Sequence, residues 1–427
     1  MTVTEPTIDA GADQEPAAPE PYFTREEGRW THQWAELYSE VITSGLCTGC
    51  SACVIACPHD VIGYEHKEGG YRPFHLEDEL GPDDCTHGQK GCTSCTRACP
   101  RFRDWEPTAE EHLFARVREK DEIWGIAEQV LLVRAADDDV HERGQDGGLV
   151  SAILIWLMEE GYIDGALVSQ LEGDGSSWRA KPGVATTPEE VLDAAGSRYT
   201  YSANWLAFDE AKERGLEKLA LVGMGCQTSA APVMWSRKIG KVGKPIQVTI
   251  GLLCSKTFDD RIFEELFEAK YGITRASIKK VNIKGVFQIW THDGEYHEVP
   301  LKECHAWTRE GCNHCPDFAA EHADISTGGI GQFSDWTLTV VRTELGKAIM
   351  DRMVAAGRIV TRPAEEDDPD AIKLMQRLSR NSRNRWPETA IGFPKLMPPP
   401  PPKKKKAAAP AAPAPAVEAA PPAAPSA

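Results

Sequence analysis

Cys47-Thr48-Gly49-Cys50-Ser51-Ala52-Cys53-Val54-Ile55-Ala56-Cys57-Pro58 sets three cysteines at intervals of two residues, then a fourth three residues on, directly before proline. Thiolates so spaced on a tight loop reach three irons of one cubane, and the fourth is placed to ligate a second cluster. The same ending returns in Cys85-x6-Cys92-x2-Cys95-x3-Cys99-Pro100, with an enlarged first gap. Exchange of the fourth ligands predicts one cluster on Cys47, Cys50, Cys53 and Cys99, and another on Cys85, Cys92, Cys95 and Cys57. Zinc is the competing occupant, because it too takes Cys-x2-Cys pairs. A zinc ribbon, however, uses two pairs per ion rather than a triplet and a Cys-Pro.

The spacing is that of bacterial ferredoxins, so residues 39–105 are read as a ferredoxin-like 2[4Fe-4S] domain. The whole chain has 427 residues, thirteen cysteines and a formal net charge of −18. That charge repels a phosphate backbone and argues against nucleic acid as a partner. No run of about 18 apolar residues is present, which argues against an integral membrane protein. The acidic, Pro-containing start lacks the basic and apolar regions of a signal peptide, and a cytoplasmic location is expected. In that compartment cysteines point to metal or redox chemistry rather than to disulfides. Residues 1–38 are expected to be mostly disordered. So is the tail 398–427, where Lys403–Lys406 interrupt Pro and Ala repeats and read as solvated charge.

Residues 106–128 read as a charged, mostly helical connector. From 129 to 362 apolar strands alternate with helices: Val130–Arg134, a helix after Gly148, Ala166–Ser169, a helix over 188–195, Leu219–Val222 and Gln247–Leu253. This alternation predicts an α/β domain with a largely parallel sheet. Thr187, Pro188 and Glu190 mark a capped helix start, and His292-Asp293-Gly294 marks a hairpin. Residues 363–397 form a C-terminal extension. The fold class is thus α+β and α/β, a ferredoxin-like module followed by an α/β domain.

Cys226 and Cys254 each end an apolar strand, and Cys312-x2-Cys315 follows. Ligand sites gather at the carboxyl edge of a parallel sheet, so these four can converge on a third cluster, with buried structural thiols as the alternative. Gly144-Gln145-Asp146-Gly147-Gly148 is read as following a strand and opening a helix, whose amides suit a pyrophosphate; a plain tight turn reads equally well. Gly196-Ser197-Arg198-Tyr199-Thr200 offers a cation and an aromatic ring, and Gly328-Gly329-Ile330-Gly331 allows close backbone approach.

Arg143–Ala152 (Arg-Gly-Gln-Asp-Gly-Gly-Leu-Val-Ser-Ala), Glu159–Ala166, Thr187–Tyr199, Gly225-Cys226-Gln227 and Ala323–Gly329 together resemble the coenzyme F420 hydrogenase/dehydrogenase beta-subunit family, in order over residues 107 to 360. The resemblance implies a flavin-binding domain carrying FAD and a [4Fe-4S] cluster on Cys226, Cys254, Cys312 and Cys315, three clusters in all, with Cys304 spare. It implies coenzyme F420 as co-substrate and a redox partner protein or catalytic subunit. Cofactor contacts are carried to Gly144, Gln145, Asp146, Gly147, Gly148, Ser151, Ser197, Arg198, Tyr199, Thr200, Gly328 and Gly329. Arg179, Lys181 and Arg198 are candidates for the acidic tail of the deazaflavin. A deazaflavin gives up a hydride while clusters pass single electrons, so a flavin is expected between them. One departure is Gly-Met-Gly before Cys226, where the family usually has Gly-Thr-Pro. Two other readings remain open: a ferredoxin-fed reductase of tetrapyrrole-like substrates, and a non-catalytic relay subunit.

Overall fold

β-branched and aromatic residues recur in short runs between glycine- and acid-rich turns, and the computed structural model turns each run into a strand. It describes residues 30–67, 70–77, 80–173, 177–387 and 390. The expected disordered tail 398–427, and residues 1–29 of the N-terminal segment, lie outside these. Strands β1 (Ile62–Lys67) and β2 (Gly70–His75) form a hairpin in the cysteine-rich module. The main sheet takes β3 (Gln129–Ala135), β4 (Gly165–Leu171), β5 (Ala180–Ala185), β6 (Leu219–Met224) and β7 (Ile246–Leu252). A separate three-stranded sheet holds β8 (Ile278–Ile283), β9 (Val286–Thr291) and β10 (Tyr296–Pro300), including the expected hairpin. Finally β11 (Ile325–Gly328), β12 (Thr337–Val341) and β13 (Ile359–Pro363) complete the main sheet.

The order in that eight-stranded sheet is β13-β3-β12-β11-β7-β6-β4-β5. Only the pairings β4/β6, β6/β7 and β7/β11 are parallel; the rest are antiparallel. The expectation of a largely parallel sheet is therefore corrected to a mixed one. The cause lies in the connections. β4 to β5 and β11 to β12 are joined by short loops, and a parallel neighbour needs a crossover of a dozen residues or more.

Helix Leu149–Glu159 is buried along nearly its whole length and packs on one face of the sheet with Ile349, Met350 and Met353 of helix Glu344–Ala355. On the other face Trp205, Phe208, Ala230 and Met234 close over Leu167, Leu219 and Leu221. Cys50, Ala52, Ala56 and Ala98 of the cysteine-rich module belong to that same apolar cluster, so the module is built onto the sheet. Its own core joins Trp34, Leu37, Phe102 and, from the C-terminal extension, Trp386. Helical residues Trp34–Leu37 and Tyr38–Ile42 run across the expected boundary at 38, with Trp34 and Leu37 buried.

The connector also differs from expectation. It is helical only over Trp105–Phe114, ending at Ala115 in the left-handed region (φ 53°). Its acids face inward: Glu106 meets Arg118 at 3.2 Å and Arg383 at 2.9 Å, and Glu110 accepts from the Arg118 amide at 3.0 Å. Arg118, from the connector's own non-helical half, and Arg383, from the C-terminal extension, compensate the burial of these carboxylates. Among the described residues no helix is long and apolar enough to cross a membrane.

Candidate functional site

The first cysteine run folds into a loop that only certain residues can form. Gly49 (φ 70°) and Ser51 (φ 67°) both take left-handed backbone, and a Cβ at Gly49 would strike the Tyr71 carbonyl oxygen. The loop turns Cys47, Cys50 and Cys53 toward one cavity, which Cys99 also lines. A second cavity is lined by Cys57, Cys85, Cys92 and Cys95. The eight cysteines are thus sorted into the two crossed groups expected from the spacing. Backbone amides already point at sulfur: Gly49 N donates to Cys47 Sγ at 3.4 Å and Gly88 N to Cys85 Sγ at 3.3 Å. Burial, with the neighbouring thiols adding, pushes Cys50 and Cys99 up to about 12. Four thiols crowded around one cavity with amides donating to them fit a group that binds thiolates and supplies positive charge.

The third quartet is set by strand register. Met224 of β6 pairs with Leu252 of β7, and Cys226 and Cys254 stand two residues beyond each. Cys312 and Cys315 arrive on the short helix Glu310–Asn313 and the loop after it. Burial raises the thiols of Cys226, Cys254 and Cys315, and in each the other cysteines of the quartet raise it further. Tyr201 OH lies 3.8 Å from Cys226 Sγ and Thr257 Oγ1 3.5 Å from Cys312 Sγ. Cys304 stands apart, fully buried in the apolar cluster of Phe263, Phe267 and Phe287.

Sequence reasoning missed what lies between the first and third quartets. Gly311 packs so closely that a Cβ there would collide with the Cys47 carbonyl. Arg101 lines the first cavity and donates from Nη2 to Cys315 Sγ at 3.4 Å. Arg309 donates to the Thr48 carbonyl at 2.8 Å. The Cys-Pro ending followed by Arg101 was the one available signal for the first; Arg309 had none beyond lying three residues before Cys312.

The glycine segments meet as well. Gly148 (φ 70°) caps helix Leu149–Glu159, although Gly144–Gly148 follows the short helix Asp138–Arg143 and not a strand directly. A Cβ on Gly329 would run into the Asp146 carboxylate, so Gly329 is held against this turn, while a Cβ on Gly328 would meet the Leu253 side chain beside Cys254. Ser197 N donates to Gln145 Oε1 at 3.4 Å, bringing in the 196–200 loop. Tyr199 OH donates to Asn282 Oδ1 at 2.9 Å, and Lys284 Nζ lies 4.0 Å from Asp146. Ser151 is buried in the first turn of the helix. Buried Gln145 Nε2, Arg198 Nε, Thr200 Oγ1 and Thr327 Oγ1 have no hydrogen-bond partner among the described residues. Such a set of unpaired polar atoms along glycine-lined loops fits a polar dinucleotide ligand. Arg179, by contrast, faces Asp260 at 3.7 Å and Glu172 at 3.8 Å, while Lys181 is exposed on β5.

The cysteine-rich module and the sheet behind it define an iron–sulfur electron-transfer protein. More particularly, the chain belongs to the coenzyme F420 hydrogenase/dehydrogenase beta-subunit family: residues 130–208 match its N-terminal part and residues 216–367 its C-terminal part. Residues 46–102 match the 4Fe-4S dicluster domain. Coenzyme F420 hydrogenase subunit beta of Methanothermobacter thermautotrophicus is 33% identical over 268 residues, 62% of this chain and 94% of that protein. An F(420)H(2) dehydrogenase subunit of Methanosarcina mazei is 28% identical, over 81% of this chain and 91% of its own. A chain of the F420-reducing [NiFe] hydrogenase complex from Methanosarcina barkeri superposes with a TM-score of 0.59 at 32% identity, covering 63% of this chain and 92% of that one.

Proposed function

We propose that this chain is an iron–sulfur flavoprotein subunit that moves electrons between coenzyme F420 and an acceptor, through FAD and three [4Fe-4S] clusters. The observation that carries the reading is serial order. Cys53, Cys57, Cys95 and Cys99 share one apolar cluster, Gly311 beside Cys312 packs on the Cys47 carbonyl, and Leu253 beside Cys254 donates its amide to the Thr327 carbonyl at 2.9 Å, next to Gly328. These contacts support a series that runs second, first, third quartet, then the glycine-lined crevice.

FAD, when bound, exchanges a hydride with a deazaflavin and single electrons with clusters. The first-turn amides of helix Leu149–Glu159 would hold its pyrophosphate, with Arg198 as a counter-charge and Tyr199 and Gly328–Gly329 closing around it; the Gly147 and Gly148 amides are spent within the turn, on Thr337 Oγ1 at 2.9 Å and the Gln145 carbonyl at 3.0 Å. Among the described residues no carboxylate pairs with buried Arg198, so its charge is free to serve a phosphate or the acidic coenzyme. Relatives named as hydrogenase and dehydrogenase subunits support a catalytic partner subunit. Twelve cysteines gathered as three ligand quartets suit the reducing conditions of a cytoplasmic setting.

Anaerobic addition of reduced coenzyme F420 to the isolated protein tests this. Loss of flavin absorbance followed by reduced-cluster EPR signals is expected. Protein free of flavin would instead be the relay subunit. FAD that stays oxidised would favour the ferredoxin-fed alternative.

A further inference from the structure

Arg101 and Arg309 are 2% and 7% exposed, yet among the described residues neither forms an ion pair with a carboxylate. The Nε of each has no partner either. Uncompensated buried guanidinium is costly, so an anion must face it. Direct contacts are with sulfur, carbonyls, a hydroxyl and aromatic faces; the charges acting on Arg101 are those of Cys315, Cys226 and Asp317, in that order. Arg101 reaches from the first cavity to Cys315 Sγ and lies 4.6 Å above the Trp105 ring. Arg309 sits between Tyr201 at 3.6 Å and Tyr71 at 4.2 Å, bonded to the Thr48 carbonyl on one side. On its other side Nη1 reaches Thr257 Oγ1 at 3.5 Å, which in turn meets Cys312 Sγ. Both cations thus bridge the first quartet and the third, and neither lines the second cavity.

We propose that Arg101 and Arg309 are positioning residues for electron transfer: fixed buried charges that raise the reduction potentials of the clusters on the first and third quartets and leave the second unaffected. This rests on the three-cluster reading above. A thiolate-ligated cubane carries net negative charge that grows by one on reduction, so a cation held in a poorly screened interior favours the reduced form. Electrons would then be retained on the inner pair, beside the glycine loops, rather than lost to the outer cluster.

The test is an EPR-monitored redox titration of the full holoprotein, with iron content measured alongside and the second quartet's signal assigned from its alteration in Cys92→Ser. Arg101→Gln and Arg309→Gln should each lower the midpoint potentials of the first- and third-quartet signals and leave the second's in place. Arg101→Lys, which keeps the charge, should stay close to wild type. Should one Gln variant fail to retain iron, the other is read in the same way. Unchanged potentials, equal movement of all three, or a Lys variant displaced as far as Gln would overturn the proposal. A wild-type protein without three cluster signals would defeat the underlying reading instead.

Discussion

Arg198 is buried, makes one long hydrogen bond to the Ala194 carbonyl at 3.4 Å, and lies 5.7 Å over the Trp178 ring. Burial alone pulls its guanidinium down to about 10, which shows how little in the protein answers its charge. Arg198→Ala should therefore leave the fold nearly intact and weaken flavin binding by about ten- to a hundredfold, since a hydrogen bond to a charged group is worth about 1.5–3 kcal/mol; flavin retention after gel filtration reads this out. Asp104 offers a test of a different kind. Burial pushes its carboxyl up to about 6 against the pull of Arg237. The folded state favours the protonated acid, so this group's contribution is complete below the unfolded range near pH 4 and is lost as pH rises through 6. Asp104→Asn should be more stable than wild type at about pH 7.5, by about 1 kcal/mol after solvent screening of a half-exposed group, and the difference should shrink to about a third of that at about pH 4.5. Thermal unfolding at the two pH values checks it. At this scale the cysteines were legible because cluster chemistry fixes their spacing in sequence. Arg101 and Arg309 were not, because a buried cation is placed by segments far apart in the chain and leaves no local period.

The strands and the capped helix at Thr187 could be read from the sequence, since both depend on neighbouring residues: Thr187 Oγ1 accepts from Glu190 N at 3.2 Å. Strand direction could not, because it depends on which strands pair across connections of different length. The connector misled for a third reason. Glu106 and Glu110 look solvated until Arg118, further along the connector, folds back and Arg383 arrives from the C-terminal extension to neutralise them. A signal was present in the C-terminal extension. Ala371, Met375, Ser379 and Ser382 recur at helical spacing and form the buried face of helix Pro369–Arg383, whose start Asp368 caps by accepting from Ala371 N at 3.1 Å. Met375 packs against the sheet beside Leu338 and Val340. Met375→Ala should cost about 2–5 kcal/mol, against within about 0.5 kcal/mol for Val354→Ala, 45% exposed on helix Glu344–Ala355. Urea unfolding of the two variants makes the comparison.

Across the whole molecule, a chain of net charge −18 keeps several of its arginines inside, around sulfur and buried acids, while the excess of acids remains. The cysteine-rich module shares its apolar cluster with the sheet, and Trp386 joins the module's core from the far end of the chain. That packing gathers three cysteine quartets and the glycine loops into one body, and the proposed conduction between a hydride donor and one-electron acceptors rests on that arrangement. The spacing of the eight N-terminal cysteines already suggested their two groups; the convergence of Cys226 and Cys254 could be suspected from the two strand ends, but only the β6/β7 register puts those ends side by side. The most direct measurement is iron, acid-labile sulfide and flavin content of anaerobically isolated full-length protein. About twelve irons, about twelve sulfides and one FAD per chain are expected, whereas about eight irons, or clusters without flavin, would contradict the three-cluster flavoprotein.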